Sequence, residues 1–354
     1  MENNILPAKR GKIPPYQLFC ILFVSRLVVT LTYIQSIING KPAADLLISI
    51  AVSYLASVIM SMPVILCIKK YKNPLKNKWI APIFGAYFIY LASLSVSRFS
   101  YFASSRLHPQ SKALFFAVLI LIAVCYAVSM GVEGLGRFSV FNAILLVFAI
   151  IIAVAFNVKN FSTINFFPSY LNSHQTIISN VFILSANTVE PAVVLALSDK
   201  INGKAEKTYF AALSTSYLTI FVLMGLCVGV MGASASLQSF PIFTLFQMAS
   251  LGGMSRLDIV HTAFWIFGVF LKCSVLLYCA SIMLKKYSHK TKSAAVSGLS
   301  GIACLLMTGY VGAMMTDLTK TVNIILALIF CIIIPFLSLI FMKKQKGEEL
   351  LEKF

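Results

Sequence analysis

The stretch GVFLKCSVLLY, residues 268–278, places a lysine near the middle of a long apolar run. A lysine ammonium at the centre of a bilayer costs at least about 2.5 to 3.5 kcal/mol on insertion scales. Snorkelling to the membrane surface is difficult from this depth, so Lys272 is predicted to have a partner inside the protein. The candidate partners are Glu190, Asn187 and the exposed carbonyls of an interrupted helix. Lys272 is therefore predicted either to lock its helix to a neighbour or to serve a binding site.

Two other apolar runs contain polar residues in their interior. The run 17–38 is interrupted by Ser25 and Arg26, and the run 175–198 contains the sequence S-A-N-T-V-E-P, which ends at Pro191. Proline lacks an amide hydrogen and disfavours helix at the residue before it. Interrupted membrane helices expose backbone amides and carbonyls, which can bind the charged ends of an amino acid. Both runs are therefore predicted to be broken helices that meet at a binding site near the midplane.

Each polar residue in these runs also has a purely structural interpretation. Arg26 either belongs to the site, or is satisfied by carbonyls, or snorkels. Glu190 is the only acidic residue deep in an apolar run, and it forms either a structural ion pair or a ligand or proton site. Asn187 and Thr188 either line the site or join helices by hydrogen bonds. Arg98 lies towards the outer end of its run, where snorkelling is the favoured interpretation.

Composition places these residues in a membrane protein. The 354-residue chain is 59% hydrophobic and 11% charged, with a mean hydropathy of +0.89. Apolar runs of about 20 residues recur along its length, as transmembrane helices require. The net charge of +18 lies mainly in the loops between apolar runs, so nucleic acid is not an expected partner. The cysteines and histidines lack ligand spacing, and nucleotide-binding and hydrolase motifs are missing, so we expect no metal, cofactor or catalysis.

The sequence predicts a single all-α membrane domain, residues 1–354, with ten transmembrane helices. The predicted spans are 17–38, 43–68, 80–104, 112–131, 138–157, 175–198, 208–232, 258–284, 293–312 and 320–342. They form two five-helix halves, 17–157 and 175–342, flanked by an N-terminal segment, 1–16, and a tail, 343–354. The excess of lysine and arginine in alternate loops predicts that both termini are cytoplasmic.

Three further local features are predicted around these spans. Asp258 and Asp317 mark the starts of helices, as acidic residues favour the N-terminal turn. A short amphipathic helix from Pro241 to Ser250 is predicted to lie on the outer membrane surface. Ser274 and Tyr278, four residues apart, share one helix face, whereas Lys272 lies about 160° around the helix from Ser274. The serine–tyrosine face and the lysine are therefore predicted to have different roles.

The segment from Ser239 to Tyr278 resembles the most recognisable part of the endospore germination permeases, the multi-spanning B subunits of nutrient germinant receptors. The residues that carry the resemblance are Phe240, Pro241, Arg256, Asp258, Trp265, Gly268, Phe270, Lys272 and Tyr278. That family is similar to the amino acid–polyamine–organocation transporters. The resemblance therefore implies a LeuT-like five-plus-five inverted repeat in which helices 1 and 6 are broken.

The resemblance also implies a function, partners and a set of pocket residues. It implies a protein of the inner spore membrane that binds an amino acid or another small nutrient. It further implies a membrane A subunit, thought to form an ion channel, and a lipoprotein C subunit as partners. The implied ligand-binding residues are Ser25, Arg26, Val28, Thr30, Tyr90, Leu94, Leu184, Asn187, Thr188, Glu190, Ser274 and Tyr278, and the implied structural or coupling residues are Lys272, Arg98, Pro191 and Asp258.

The sequence departs from the family pattern at the predicted helix breaks. Val28 stands where the family often has glycine, and Gln35 replaces the proline that usually ends span one. In span six only Glu190 survives from the family's Gly-Gly-Phe-Glu. A bulkier and more charged pocket implies a different nutrient. Three functions stay open: a receptor subunit, an amino-acid transporter with or without proton coupling through Glu190, and a scaffold with a vestigial pocket.

Overall fold

A computed structural model describes the chain in eight stretches of residues. They are 11–37, 44–70, 72–167, 173–238, 240–249, 258–287, 293–313 and 317–342. Secondary structure in these stretches is helical apart from one isolated backbone bridge between Ile13 and Ile201. The all-α class is therefore confirmed.

Thirteen α-helices are present in the described part of the chain. Those before residue 160 are α1 (Pro15–Ile37), α2 (Ala44–Lys69), α3 (Ile80–Phe102), α4 (Ala113–Met130) and α5 (Val132–Asn157). Those after it are α6 (His174–Ala186), α7 (Glu190–Leu197), α8 (Ala205–Met231), α9 (Pro241–Met248), α10 (Asp258–Tyr287), α11 (Ser293–Ala313), α12 (Asp317–Leu328) and α13 (Ile334–Phe341). A π-helical turn, Ala103–Leu107, extends α3, and another, Ile329–Ile333, joins α12 to α13.

Eight helical segments in the described residues are long and apolar enough to cross a membrane, counting α6–α7 and α12–α13 as one each. Two shorter apolar pieces, Pro15–Val28 of α1 and Gly298–Thr308 of α11, occupy the places of the other two predicted spans. Large apolar side chains such as Ile59 and Leu306 are more than two-thirds exposed, as expected where a helix faces lipid. The exact number of ten spans stays a prediction.

The predicted interruption of span six is confirmed. Helix α6 ends at Ala186 and α7 begins at Glu190, with Pro191 in the first turn of α7. In the gap, the Thr188 amide donates to the Ser185 carbonyl over 2.9 Å, so the backbone bonds locally before the helix resumes. Proline at the start of α7 costs no hydrogen bond, because the first amides of a helix have no partner within it.

The predicted interruption of span one is wrong, since α1 runs without a break from Pro15 to Ile37. No glycine or proline lies between Tyr16 and Ile37. Serine and arginine are tolerated within a helix when their polar groups find partners outside it, as those of Ser25 and Arg26 do. Polar residues alone therefore did not break this helix.

Two other expectations need correction and two hold. Helix α5 begins at Val132, six residues before the predicted start, because Gly131, at φ +84°, makes a one-residue turn after α4. Helix α9 exists as predicted, but most of its apolar residues are buried against α1, α5, α8 and α10 instead of forming an exposed apolar face. Helices α10 and α12 begin at Asp258 and Asp317, as predicted.

The N-terminal segment is attached to one end of the helix bundle. The Ile13 amide donates to the Lys200 carbonyl over 2.8 Å, and the Asn202 amide donates to the Ile13 carbonyl over 2.9 Å. The Gly11 amide donates to the Glu133 carboxylate beside the turn between α4 and α5. Three segments that were predicted to lie on one side of the membrane therefore meet at one end of the bundle.

Candidate functional site

A small cavity lies beside the gap between α6 and α7. It has a volume of about 20 Å³, room for roughly one water molecule. Side chains from α3, the α6–α7 gap, α10 and α12 form its walls: Tyr87, Leu91, Leu94, Ser95, Arg98, Ala186, Asn187, Val189, Lys272 and Asn323. The cavity as it stands is too small for an amino acid, so a ligand would enter only if side chains move.

Lys272 reaches the cavity from α10 and also joins α10 to α1. Its side chain is 3% exposed, and Nζ donates to the backbone carbonyl of Ser25 over 3.0 Å. The Ser25 hydroxyl in turn donates to Glu190 Oε1 over 3.4 Å, a long hydrogen bond. Ser25 therefore links the lysine of α10 to the carboxylate of α7.

Among the predicted partners of Lys272, Glu190 is not the one that the side chain contacts directly. The described residues show no direct ion pair between Lys272 and Glu190, although the two are within electrostatic range. The hydrogen-bonded partner is a carbonyl in α1, a helix that the sequence predicted to be broken and that is continuous. A carbonyl inside a helix can accept this second bond because its oxygen has two lone pairs.

Glu190 occupies the first position of α7 and is 2% exposed. A carboxylate is favourable there because the N-terminus of a helix carries a partial positive charge. Oε1 accepts from Ser25, while Oε2 has no hydrogen-bond partner among the described residues. Buried carboxylate oxygens normally accept hydrogen bonds, so Oε2 is an acceptor that the described residues leave unused.

Arg26 is not among the residues that line the cavity and belongs to a neighbouring polar network. Its Nη2 donates to the Leu184 carbonyl over 3.1 Å and to the Tyr217 hydroxyl over 2.6 Å. Its guanidinium carbon also lies 4.7 Å from the centroid of the Tyr217 ring. The interpretation that carbonyls and other buried groups satisfy Arg26 is therefore the one the structure favours over snorkelling.

Thr188 and Tyr217 extend the same network to α2. The Ser57 hydroxyl lies 3.0 Å from Thr188 Oγ1 and 2.6 Å from the Tyr217 hydroxyl. Neither Ser57 nor Tyr217 was identified from the sequence. Serine and tyrosine recur throughout these helices, so nothing in the pattern of residues could have singled out this pair.

The snorkelling interpretation of Arg98 is wrong. The Arg98 side chain on α3 is 9% exposed and lines the same cavity as Lys272 on α10. An aromatic cluster covers the end of the bundle nearest to α9: the Phe102 ring lies 4.6 Å from that of Trp265 and 4.9 Å from that of Phe240.

Some of the other predicted ligand-binding residues lie at the cavity and others do not. Leu94 and Asn187 line the cavity, and the Tyr90 hydroxyl donates over 2.8 Å to Oδ1 of Asn323, which also lines it. Val28 packs against α10 at Gly268. Thr30 belongs to α1, but its side chain lies outside the described residues.

Ser274 and Tyr278 do not line this cavity. The Ser274 hydroxyl is buried and donates to the Phe270 carbonyl within its own helix over 2.7 Å. The Tyr278 hydroxyl interacts with the backbone of Val132, at the start of α5. The two residues therefore lie on a different part of α10 from Lys272, as the helical geometry predicted.

The described residues offer no candidate metal site. They contain no cluster of three histidine, cysteine, aspartate or glutamate side chains. All eight cysteines are free thiols, six of them buried. The polar residues at the cavity instead carry cations, amides and hydroxyls, which suit a small polar ligand.

The helix order and the interrupted α6–α7 pair define the LeuT-like class of membrane transporter folds. Three solved structures with this fold are similar to the chain. MhsT in complex with L-phenylalanine matches with a TM-score of 0.65 and 11% identity, covering 94% of this chain and 90% of that one. A Na⁺-coupled sialic acid symporter in a substrate-bound outward-open state matches with a TM-score of 0.58 and 13% identity. The match covers 94% of this chain and 80% of that one. MHP1 is a nucleobase-cation-symport-1 family transporter in a closed conformation with bromovinylhydantoin bound. It matches with a TM-score of 0.59 and 12% identity, and the match covers 88% of this chain and 75% of that one.

Within this class, the family is shown by sequence. The model of the spore germination protein family of spore permeases matches residues 12–313, and the chain belongs to that family. No curated protein sequence matches the chain. The chain is thus an integral membrane protein of the spore germination family with a transporter fold.

Proposed function

We propose that the chain is the membrane-embedded subunit of a spore nutrient receptor, which binds a small nutrient in the cavity beside the α6–α7 gap. The resemblance to germinant-receptor B subunits supports an inner spore membrane location, with both termini on the core side. It also supports an A-type membrane subunit and a C-type lipoprotein as partners. An amino acid is the nutrient class that this resemblance favours.

The cavity itself is the observation that carries the proposal. Arg98 of α3 and Lys272 of α10 meet there with Asn187, which lies where the backbone is interrupted between α6 and α7. Burying polar and charged groups in a membrane bundle is costly, so such a group of residues is the default candidate for a functional site. The match to transporter folds supports this location, since their ligands lie near the midplane at interrupted helices.

The hydrogen bonds beside the cavity provide a route by which a ligand could change the bundle. Lys272 lines the cavity and donates a hydrogen bond to the Ser25 carbonyl. The Ser25 hydroxyl donates to Glu190 at the start of α7. A ligand that draws the ammonium away from Ser25 would favour a different arrangement of α1, α7 and α10. A partner subunit that contacts these helices would then sense the shift in population.

Nutrient-triggered germination tests this proposal directly. Spores from a strain with the gene deleted would be exposed to amino acids, nucleosides and sugars, and release of spore-core contents would be measured. We expect loss of the response to one nutrient class, restored by the unaltered gene. Leu94→Phe, which fills the cavity, should not restore it, whereas Leu119→Phe, on an exposed part of α4, should. An unchanged response in a strain without a related receptor gene would refute the proposal.

A transporter is the second candidate, and the fold favours it, since the three similar structures are described as transporters or as bound to a small molecule. The same cavity would serve either function. Purified protein in liposomes loaded with unlabelled nutrient separates the two. Accumulation of labelled nutrient by exchange would support transport, whereas ligand-induced thermal stabilisation without flux would support a receptor.

A further inference from the structure

We propose that a groove on the lipid-facing side of the bundle binds an acyl chain of one anionic phospholipid, whose phosphate lies near Lys159. The walls of this groove come from α2, α5, α8 and the segment 158–166. The cavity of the proposed nutrient site is formed instead by α3, the α6–α7 gap, α10 and α12. The lipid site is therefore separate from the nutrient site and does not depend on the proposed function.

The size and the walls of the groove suit a hydrocarbon chain. Its volume is about 450 Å³. An apolar cavity of about 150 Å³ is enough to hold benzene, so this groove has room for a much longer hydrocarbon. Every described residue that lines it is apolar or a glycine. A sugar or an amino acid would lose its hydrogen bonds to water there without replacing them, whereas an acyl chain has none to lose.

Gly225 of α8 lines the groove without contributing a side chain. No atom of the described residues lies within 4 Å of a Cβ added at this position. One turn earlier on α8, Phe221 and Val222 line the groove and are 40% and 46% exposed, so the groove opens to the outside of the bundle. The medium around a membrane-spanning helix is lipid hydrocarbon, and an unfilled groove would lose dispersion contacts with it. A lipid chain is therefore the occupant that the surroundings of the groove supply.

Hydrogen bonds hold one wall of the groove in place. The segment 158–166 contains two short 3₁₀ turns and is attached to the end of α8. The Ser162 amide donates to the Gly229 carbonyl over 2.9 Å, and Asn165 Nδ2 donates to the same carbonyl over 2.6 Å. Phe161 and Phe166 of this segment line the groove, and their ring centroids lie 5.9 Å apart. A wall that is already ordered lowers the entropy cost of binding a chain.

The groove reaches the ends of candidate membrane spans, where lipid headgroups lie. Leu47 is near the start of the span Asp45–Lys69, and Val158 is near the end of the span Val132–Asn160. Lys159 follows Val158 directly and its side chain is exposed. No acidic residue is among the described residues that line the groove. One lysine at the membrane surface favours an anionic headgroup by about fivefold, so the phospholipid in the groove should be anionic.

Fluorescence quenching by brominated phospholipids tests the proposal at a single position. Phe221→Trp places an indole in the groove, and Phe148→Trp, at a 54% exposed position of α5 outside the groove, is the matched control. Each variant would be reconstituted in phosphatidylcholine with increasing fractions of brominated phosphatidylglycerol, and the signal of Trp79 and Trp265 in the unaltered protein would be subtracted. We expect half-maximal quenching of the groove indole at an about fivefold lower fraction than that of the control indole.

Second substitutions in the Phe221→Trp protein separate the headgroup from the chain. Lys159→Gln should remove the fivefold preference for phosphatidylglycerol but leave the indole accessible to brominated phosphatidylcholine. Gly225→Leu fills the groove, so the groove indole should then respond to brominated lipid as the control indole does. Gly298→Leu on α11, where an added Cβ also meets no atom within 4 Å, should leave the preference unchanged.

Three results would overturn the proposal. The first is equal quenching of the groove and control indoles at every lipid fraction, and the second is a preference that survives both Lys159→Gln and Gly225→Leu. The third is a groove indole that no brominated lipid quenches, together with a dimer in size-exclusion chromatography, which would assign the groove to a second copy of the chain. None of these results bears on the nutrient response, so the lipid site and the proposed function fail independently.

Discussion

The contact between α1 and α10 at Gly268 leads to a prediction whose magnitude follows from one distance. A Cβ added to Gly268 would lie 2.3 Å from Val28 Cγ2, far closer than two carbons can approach. Val28 lies between two helices and is 4% exposed, so it has little room to move. Overpacking of this kind costs roughly 1 to 3 kcal/mol, while replacing a helical glycine with alanine returns up to about 1 kcal/mol. We therefore expect Gly268→Ala to destabilise the protein by up to about 2 kcal/mol.

Two further variants make this prediction specific. Val28→Ala removes the atom that would clash, so the double variant should recover most of the stability that Gly268→Ala loses. Gly225→Ala is the matched control, because no atom lies within 4 Å of an added Cβ in that helix, and it should be neutral or stabilising. Unfolding of each variant would be followed by circular dichroism during a titration with denaturing detergent. If Gly268→Ala and Gly225→Ala behave alike, the close approach of α1 and α10 is not as the structure has it.

The hydrogen bonds around the site lead to three more predictions. Tyr217→Phe removes the hydroxyl that contacts Arg26, so the free energy of unfolding should fall by about 1 to 3 kcal/mol. An unchanged unfolding temperature would contradict the hydrogen-bond network. Lys272→Met should weaken the nutrient response and lower stability through the loss of the bond to Ser25, and normal expression with a normal response would refute the coupling role. Glu190→Gln keeps an acceptor for the Ser25 hydroxyl but removes a negative charge near Lys272, so it should lower the stability of the protein. An unchanged unfolding temperature of this variant would contradict that electrostatic argument.

Much of the fold could be predicted because it depends on local sequence. Runs of apolar residues must form helices in a membrane, where backbone groups have no water to bond. Pro191 predicted the interruption before α7 because it lacks an amide hydrogen, and Asp258 and Asp317 marked the starts of α10 and α12. The resemblance in the segment before Tyr278 indicated the family and the transporter fold.

Most of the errors concern residues whose conformation depends on distant neighbours. Ser25 and Arg26 interrupt an apolar run, yet α1 stays helical because Glu190, Leu184 and Tyr217 supply partners for them. Those partners lie more than 150 positions away in the chain, so neither composition nor periodicity could reveal them. The partner of Lys272 was missed for the same reason, as a main-chain carbonyl leaves no signature in the sequence.

By itself, the sequence determined that this is a helical membrane protein and that helix six is interrupted at Pro191. These properties follow from hydropathy and from the covalent chemistry of single residues. Only the tertiary structure decided that Arg98 turns inward to share a cavity with Lys272, and that Ser25 connects Lys272 to Glu190. Electrostatic interactions inside a bundle depend on which helices pack together, and that packing is a property of the whole chain.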